Sequence, residues 1–164
     1  MLAFRFRRAA AMQRGAAALE FALIFPILFV IFYAIASYGM TFMLVHAMNN
    51  AASEGARSAL LVDLDAACGG NVTAACAQGA VEARAIAVSQ SALDFLPDTF
   101  SEDLVITAAV DGTQLLTVTV AVPGFAENPL IPVLTLPGIG QVPRLPADLT
   151  SVAQVQLGSG GNPS

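Results

Sequence analysis

Lysine and tryptophan are absent from this chain, histidine occurs once, and charged residues make up only 12% of its 164 positions. Basic side chains amount to seven arginines. Four of them, Arg5, Arg7, Arg8 and Arg14, crowd into the first 15 residues. Without that leader, three arginines face twelve carboxylates, a net charge of −9. Such a surface has nothing with which to neutralise phosphates, so no nucleic-acid partner is expected. Two cysteines and the single His46 are too few and too scattered for a metal site, and no cofactor is expected. There is no nucleophile elbow, no phosphate loop and no tight pair of carboxylates with partners. An enzyme is not expected.

Charge is missing most conspicuously between Glu20 and Glu54. Residues 21–45 hold fourteen Leu, Ile, Val or Phe, more than a small soluble core needs in one run. On insertion scales these favour a bilayer by roughly 4–8 kcal/mol together, whereas a carboxylate costs about 3 kcal/mol at a helix centre and less near an end. Insertion wins. The arginine-rich leader stays on the cytoplasmic side, and the acidic remainder is expected outside.

A single span must be helical to satisfy its own backbone in lipid. Helix is expected from Ala16 to about residue 61, with Pro26 as a tolerated bend. Beyond Val45 one side turns polar (His46, Asn49, Asn50, Ser53, Glu54, Arg57). Leu44, Met48, Ala52 and Gly55 form the opposite stripe, broadened by Ala51, Ala56 and Leu60. Small residues on that stripe suit close helix packing, not catalysis. Glu54 and Arg57, three apart, are expected to form an exposed ion pair.

Residues 63–79 read as a loop containing Cys68 and Cys76, expected as a local disulfide in an oxidising compartment. A second helix is expected over Gln78–Leu96, with Val81, Ala85, Val88 and Ala92 inward and Pro97 ending it. Leu104–Val110 and Gln114–Val122 read as two strands. A three-residue turn at 111–113, setting Ile106 against Val118, keeps their apolar faces together; a two-residue turn does not. Six prolines between Pro123 and Pro146 exclude regular helix or central strand and imply a long loop. Leu149–Leu157 alternates and is expected as a third strand.

In order, the chain presents a basic leader, Arg14-Gly15, Ala16-Ala17-Ala18-Leu19-Glu20-Phe21-Ala22-Leu23, Pro26, and then Ala51-Ala52-Ser53-Glu54-Gly55-Ala56-Arg57. This segment, residues 14–57, resembles the TadE-like family, pilin-like proteins (pseudopilins) of the bacterial tight-adherence or Flp-type pilus machinery. The resemblance implies cleavage after Gly15 by a prepilin peptidase, leaving Ala16 as the new N-terminus. It also implies that processing and assembly depend on Glu20, with Phe21 beside it. Implied partners are the peptidase, other pilin-like subunits, the assembly platform and the lipid bilayer. The implied place is the bacterial inner membrane, single-pass, with the C-terminal domain periplasmic and associated with a pilus used in adhesion.

The expected architecture is α+β: a long N-terminal transmembrane helix, a second helix and a small antiparallel sheet. It divides into a leader (1–15), the transmembrane and extended helix (16–61), an exported domain (62–157) and a flexible tail (158–164). Glu20 is expected to pair with the Ala16 amine of a neighbouring chain, the alternatives being its own Ala16 or lipid headgroups. The rival for the N-terminus is an ordinary signal peptide cut after Ala34-Ile35-Ala36, or an uncut signal anchor, on a periplasmic binding module.

Overall fold

The computed structural model describes residues 7–97, 103–138 and 140–158. Apart from Gly158, the tail expected over 158–164 lies outside the described residues. The chain is α+β: one long apolar helix, two further helices and a small antiparallel sheet.

Helix α1 runs Arg7–Ala59 with Pro26 inside it. Its far half is amphipathic by necessity, because small and apolar side chains recur at three- and four-residue steps. Leu44, Met48, Ala51, Ala52, Ala56 and Ala59 are all buried there. Leu60 departs from the expected stripe and is half exposed. The helix has ended at Ala59, and Leu60 lies in the following turn.

The loop after α1 contains a short helix, α2 (Leu64–Ala67), capped by the Asp63 carboxylate accepting from the Ala66 N–H at 3.1 Å. Helix α3 spans Ala74–Ser91, starting earlier and ending earlier than expected. Thr73 caps its start by accepting from the Cys76 N–H. The Cys68–Cys76 disulfide joins α2 to the first turn of α3. In the chain-entropy picture, so short a closed loop stabilises by roughly 2–3 kcal/mol. The inward line of α3 is Val81, Ala85 and Ser89, with Leu93 after the helix. It follows a four-residue step and replaces the expected Val88 with a serine.

Strands β1 (Val105–Val110), β2 (Leu115–Val122) and β5 (Leu149–Gln156) form the sheet in the order β1-β2-β5, both pairs antiparallel. Leu116, Val118, Val120 and Val122 are fully buried on the inner face of the central strand. The β1–β2 register sets Ile106 against Val120, not Val118, and Val110 against Leu116. The expected parity holds, apolar against apolar, but the turn sits one residue later at 112–114. Asp111 explains the shift. Its carboxylate accepts from the Thr113 N–H, the Thr113 hydroxyl and the Leu115 N–H, holding the turn while Gln114 takes the left-handed conformation. The Thr113 hydroxyl, then the Leu115 amide, lower the Asp111 carboxyl below its ordinary value near 3.8. The anion is therefore favoured by folding. Its contribution is complete above about pH 4 and is lost as the pH falls through the lower folded value.

Two short strands, β3 (Leu134–Leu136) and β4 (Gly140–Val142), pair as a separate ribbon inside the proline-rich segment expected to be loop throughout. The prolines fall outside both strands, Pro137 in the turn between them, which a segment barred from a central strand still allows. Where the segment begins and ends, it is tied back on itself. The Gly124 N–H donates to Asp148 at 2.9 Å and the Ala126 N–H to the Ala147 carbonyl at 3.3 Å. Within it, Phe125 and Pro143 are buried.

Candidate assembly and membrane interface

The expected processing and assembly residues all lie on α1. Gly15 and Ala16 are within the helix, Glu20 is exposed, and Phe21 is 64% exposed. Glu20 has no ion pair or hydrogen bond among the described residues. The exposed apolar side chains around it include Leu19, Leu23, Ile24, Ile27 and Leu28. Ala16–Ala59 is the one described helix long and apolar enough to cross a membrane, and its most apolar window is wholly unburied. An exposed sleeve of this kind is unstable in water, where each large side chain left uncovered forgoes about 1.5–3 kcal/mol.

Along one side of that sleeve the aromatics form a ladder at four-residue steps. Ring centroids lie 5.4 Å apart for Phe21–Phe25, and 6.2 Å apart for Phe25–Phe29 and for Phe29–Tyr33. The i,i+4 spacing was legible in the sequence as a shared helical face. Tyr33, the last rung, is where the folded domain reaches the helix: its hydroxyl donates to the Pro132 carbonyl. Five residues on, the Tyr38 hydroxyl accepts from the Arg144 N–H at 3.2 Å. These two contacts, on the only two tyrosines of the chain, hold the proline-rich segment against α1. Sequence reasoning did not find them, since nothing local links residues about a hundred positions apart.

Further along, Gly55 admits α3. A Cβ placed there would lie 2.1 Å from the Ser89 Oγ and 2.8 Å from the Ala85 carbonyl oxygen. The Ser89 hydroxyl, fully buried, donates across the contact to the Ala51 carbonyl at 3.0 Å. The Glu54-Gly55-Ala56-Arg57 element thus turns Gly55 to α3, buries Ala56 and leaves both charges exposed. Among the described residues Glu54 and Arg57 form no ion pair, contrary to expectation. Each keeps its own hydration, in line with the small value of exposed pairs.

Other features offer less. An apolar groove of about 310 Å³ between α1, α3 and the sheet has Val62, Leu64, Val81 and Leu157 in its wall, and no acid, base or nucleophile lines it. Among the described residues no group of three His, Cys, Asp or Glu could hold a metal ion. His46 is exposed, with its ring edge-on to Phe42 at 4.2 Å.

No curated protein and no solved structure matches the chain. Residues 15–57 do match a family model, that of TadE, described as TadE-like protein. The match runs from the glycine of the leader junction to the arginine that follows the α3 seat, so it covers the bare apolar helix and its docking face together. Over residues 15–57 the chain is similar to the TadE-like family.

Proposed function

We propose that this chain is a minor pilin-like (pseudopilin) component of a tight-adherence or Flp-type pilus assembly machinery. It acts by assembly, not by catalysis. The observation that carries this is a carboxylate, Glu20, without a partner among the described residues, at the start of a bare apolar helix that projects from a folded acidic domain. Similarity to the family over residues 15–57 supports association with pilus assembly components.

In this reading a prepilin peptidase cuts after Gly15 and exposes the Ala16 amine. The helix then waits in the inner membrane with the acidic domain on the periplasmic side. Helix transfer from lipid to a bundle of similar helices is guided by pairing Glu20 with the amine of a neighbouring chain. In low dielectric each charge offsets the desolvation of the other.

Cleavage after Ala36, the signal-peptide alternative, fits the structure poorly. It would remove Tyr33 with its bond to Pro132 and turn the buried Ser37 into a charged terminus. Intact-mass measurement of the membrane-bound protein, from cells with a working prepilin peptidase, separates these readings. The expected product begins at Ala16. A chain beginning at Ser37, or one retaining Met1–Gly15, contradicts the proposal.

A further inference from the structure

The apolar run of α1 does not say where the bilayer ends, because exposed apolar side chains continue on one side of the helix to Phe42 and Met43. The folded domain does say so. Within Ala16–Phe32 every side chain is exposed except the half-buried Val30. That stretch is about 26 Å of helix at roughly 1.5 Å per residue, close to the ~30 Å of a bilayer's hydrocarbon. At Tyr33 the proline-rich segment arrives, fixed through the Pro132 carbonyl. At Tyr38, about 7.5 Å further along, it is fixed again through the Arg144 N–H, and the Arg144 side chain is exposed. A charged side chain at that height keeps hydrocarbon below Tyr38. Asp103 and Glu127 share one cleft with Pro129, Leu130 and Pro132, and carboxylates are costly in hydrocarbon.

We infer that Pro129-Leu130-Ile131-Pro132 is a membrane-surface seat, resting at the headgroup–acyl boundary of the leaflet that faces the folded domain. The tetrapeptide is apolar and without charge. Its two prolines have no N–H to leave unsatisfied at such a boundary. Tyrosine, with an apolar ring and a polar tip, is the residue type suited to this depth. Tyr33 and Tyr38 thus do two things: they clamp the segment to α1 and mark the boundary. The span consequently leaves hydrocarbon near residues 33–37, about ten residues before Val45, where the apolar run ends. The acids beside the seat set its preference for zwitterionic headgroups over anionic ones.

This inference rests on the membrane-anchored reading above, and the chain's lack of tryptophan makes both testable in one experiment. Single reporters are introduced into the full chain as Ile131→Trp, Pro132→Trp, Phe25→Trp and Leu61→Trp. Each variant is reconstituted in phosphatidylcholine vesicles carrying spin labels either near the headgroup or deep in the acyl chain. Phe25→Trp reports the anchored helix and should be quenched by the deep label. Leu61→Trp, in the exposed turn after α1, should be quenched by neither. The seat predicts that Ile131→Trp and Pro132→Trp are quenched severalfold more by the shallow label than Leu61→Trp is, with blue-shifted emission. If both seat reporters match Leu61→Trp while Phe25→Trp is quenched, the helix is anchored and the seat is wrong. If Phe25→Trp is not quenched either, anchoring and seat fall together.

Discussion

Alanine at position 55 is expected to destabilise the folded domain by about 1–3 kcal/mol, the usual range for forcing a methyl group into a filled contact. For a domain of this size, that lowers the melting temperature by roughly 4–8 °C per kcal/mol. The Ser89 hydroxyl can rotate away from the new Cβ, but the Ala85 carbonyl oxygen, 2.8 Å from it, belongs to the α3 backbone and cannot. Helix α3 must shift as a body, and the buried bond from Ser89 to the Ala51 carbonyl is strained or broken. Gly79 is the matched control. It is exposed in α3, and a Cβ there meets nothing within 4 Å. Gly79→Ala should therefore stabilise by about 0.5–1 kcal/mol through helix propensity alone. Opposite signs for the two substitutions, in thermal unfolding of the full chain in detergent, are the expected result. Adding Ser89→Ala to Gly55→Ala should restore part of the loss and not all of it, because the carbonyl remains. Equal effects at 55 and 79 would mean that α1 and α3 do not approach so closely.

Glu20→Ala is expected to abolish co-assembly while leaving the protein in the membrane. Removing one member of a charge pair in low dielectric leaves the other uncompensated, which costs about 3–5 kcal/mol. That corresponds to a loss of assembled complex on the order of 10²–10⁴-fold. Insertion should be unimpaired or slightly favoured, since a carboxylate near the span no longer needs a partner. Glu20→Gln, which keeps the shape and loses the charge, should behave like Glu20→Ala if the amine of Ala16 is the partner. Quantitative recovery of pilin-like chains with the affinity-tagged protein, from detergent-solubilised membranes, reads the effect. Undiminished recovery with both variants would reduce Glu20 to an ordinary headgroup-facing carboxylate, a role its exposure also allows.

What the sequence made legible follows a physical division. Local periodicity is encoded locally, so α1, the three strands of the main sheet and the inward face of Leu116, Val118, Val120 and Val122 are readable from the residue pattern alone. Turn chemistry is only half readable. Parity of the β1–β2 pairing follows from which side chains are apolar, but the offset follows from three hydrogen bonds converging on Asp111. Contacts distant in sequence are not readable at all. Ser89 looks like a polar break in the α3 stripe until Gly55 is found opposite it. The prolines of 123–146 speak only of irregularity, and nothing local reveals a short ribbon or a clamp on Tyr33 and Tyr38. In the candidate site, Gly15, Ala16, Glu20 and Phe21 stand out by their order along the chain. The aromatic ladder beside them was missed, although its four-residue spacing was present to be counted.

Every functional step above presupposes that the uncovered helix lies in lipid. Alkaline carbonate extraction of membranes containing the full-length chain, followed by detergent, tests this most directly. The account predicts that the protein stays in the carbonate-washed pellet and is released only by detergent. Recovery of the intact chain in the detergent-free supernatant would contradict it.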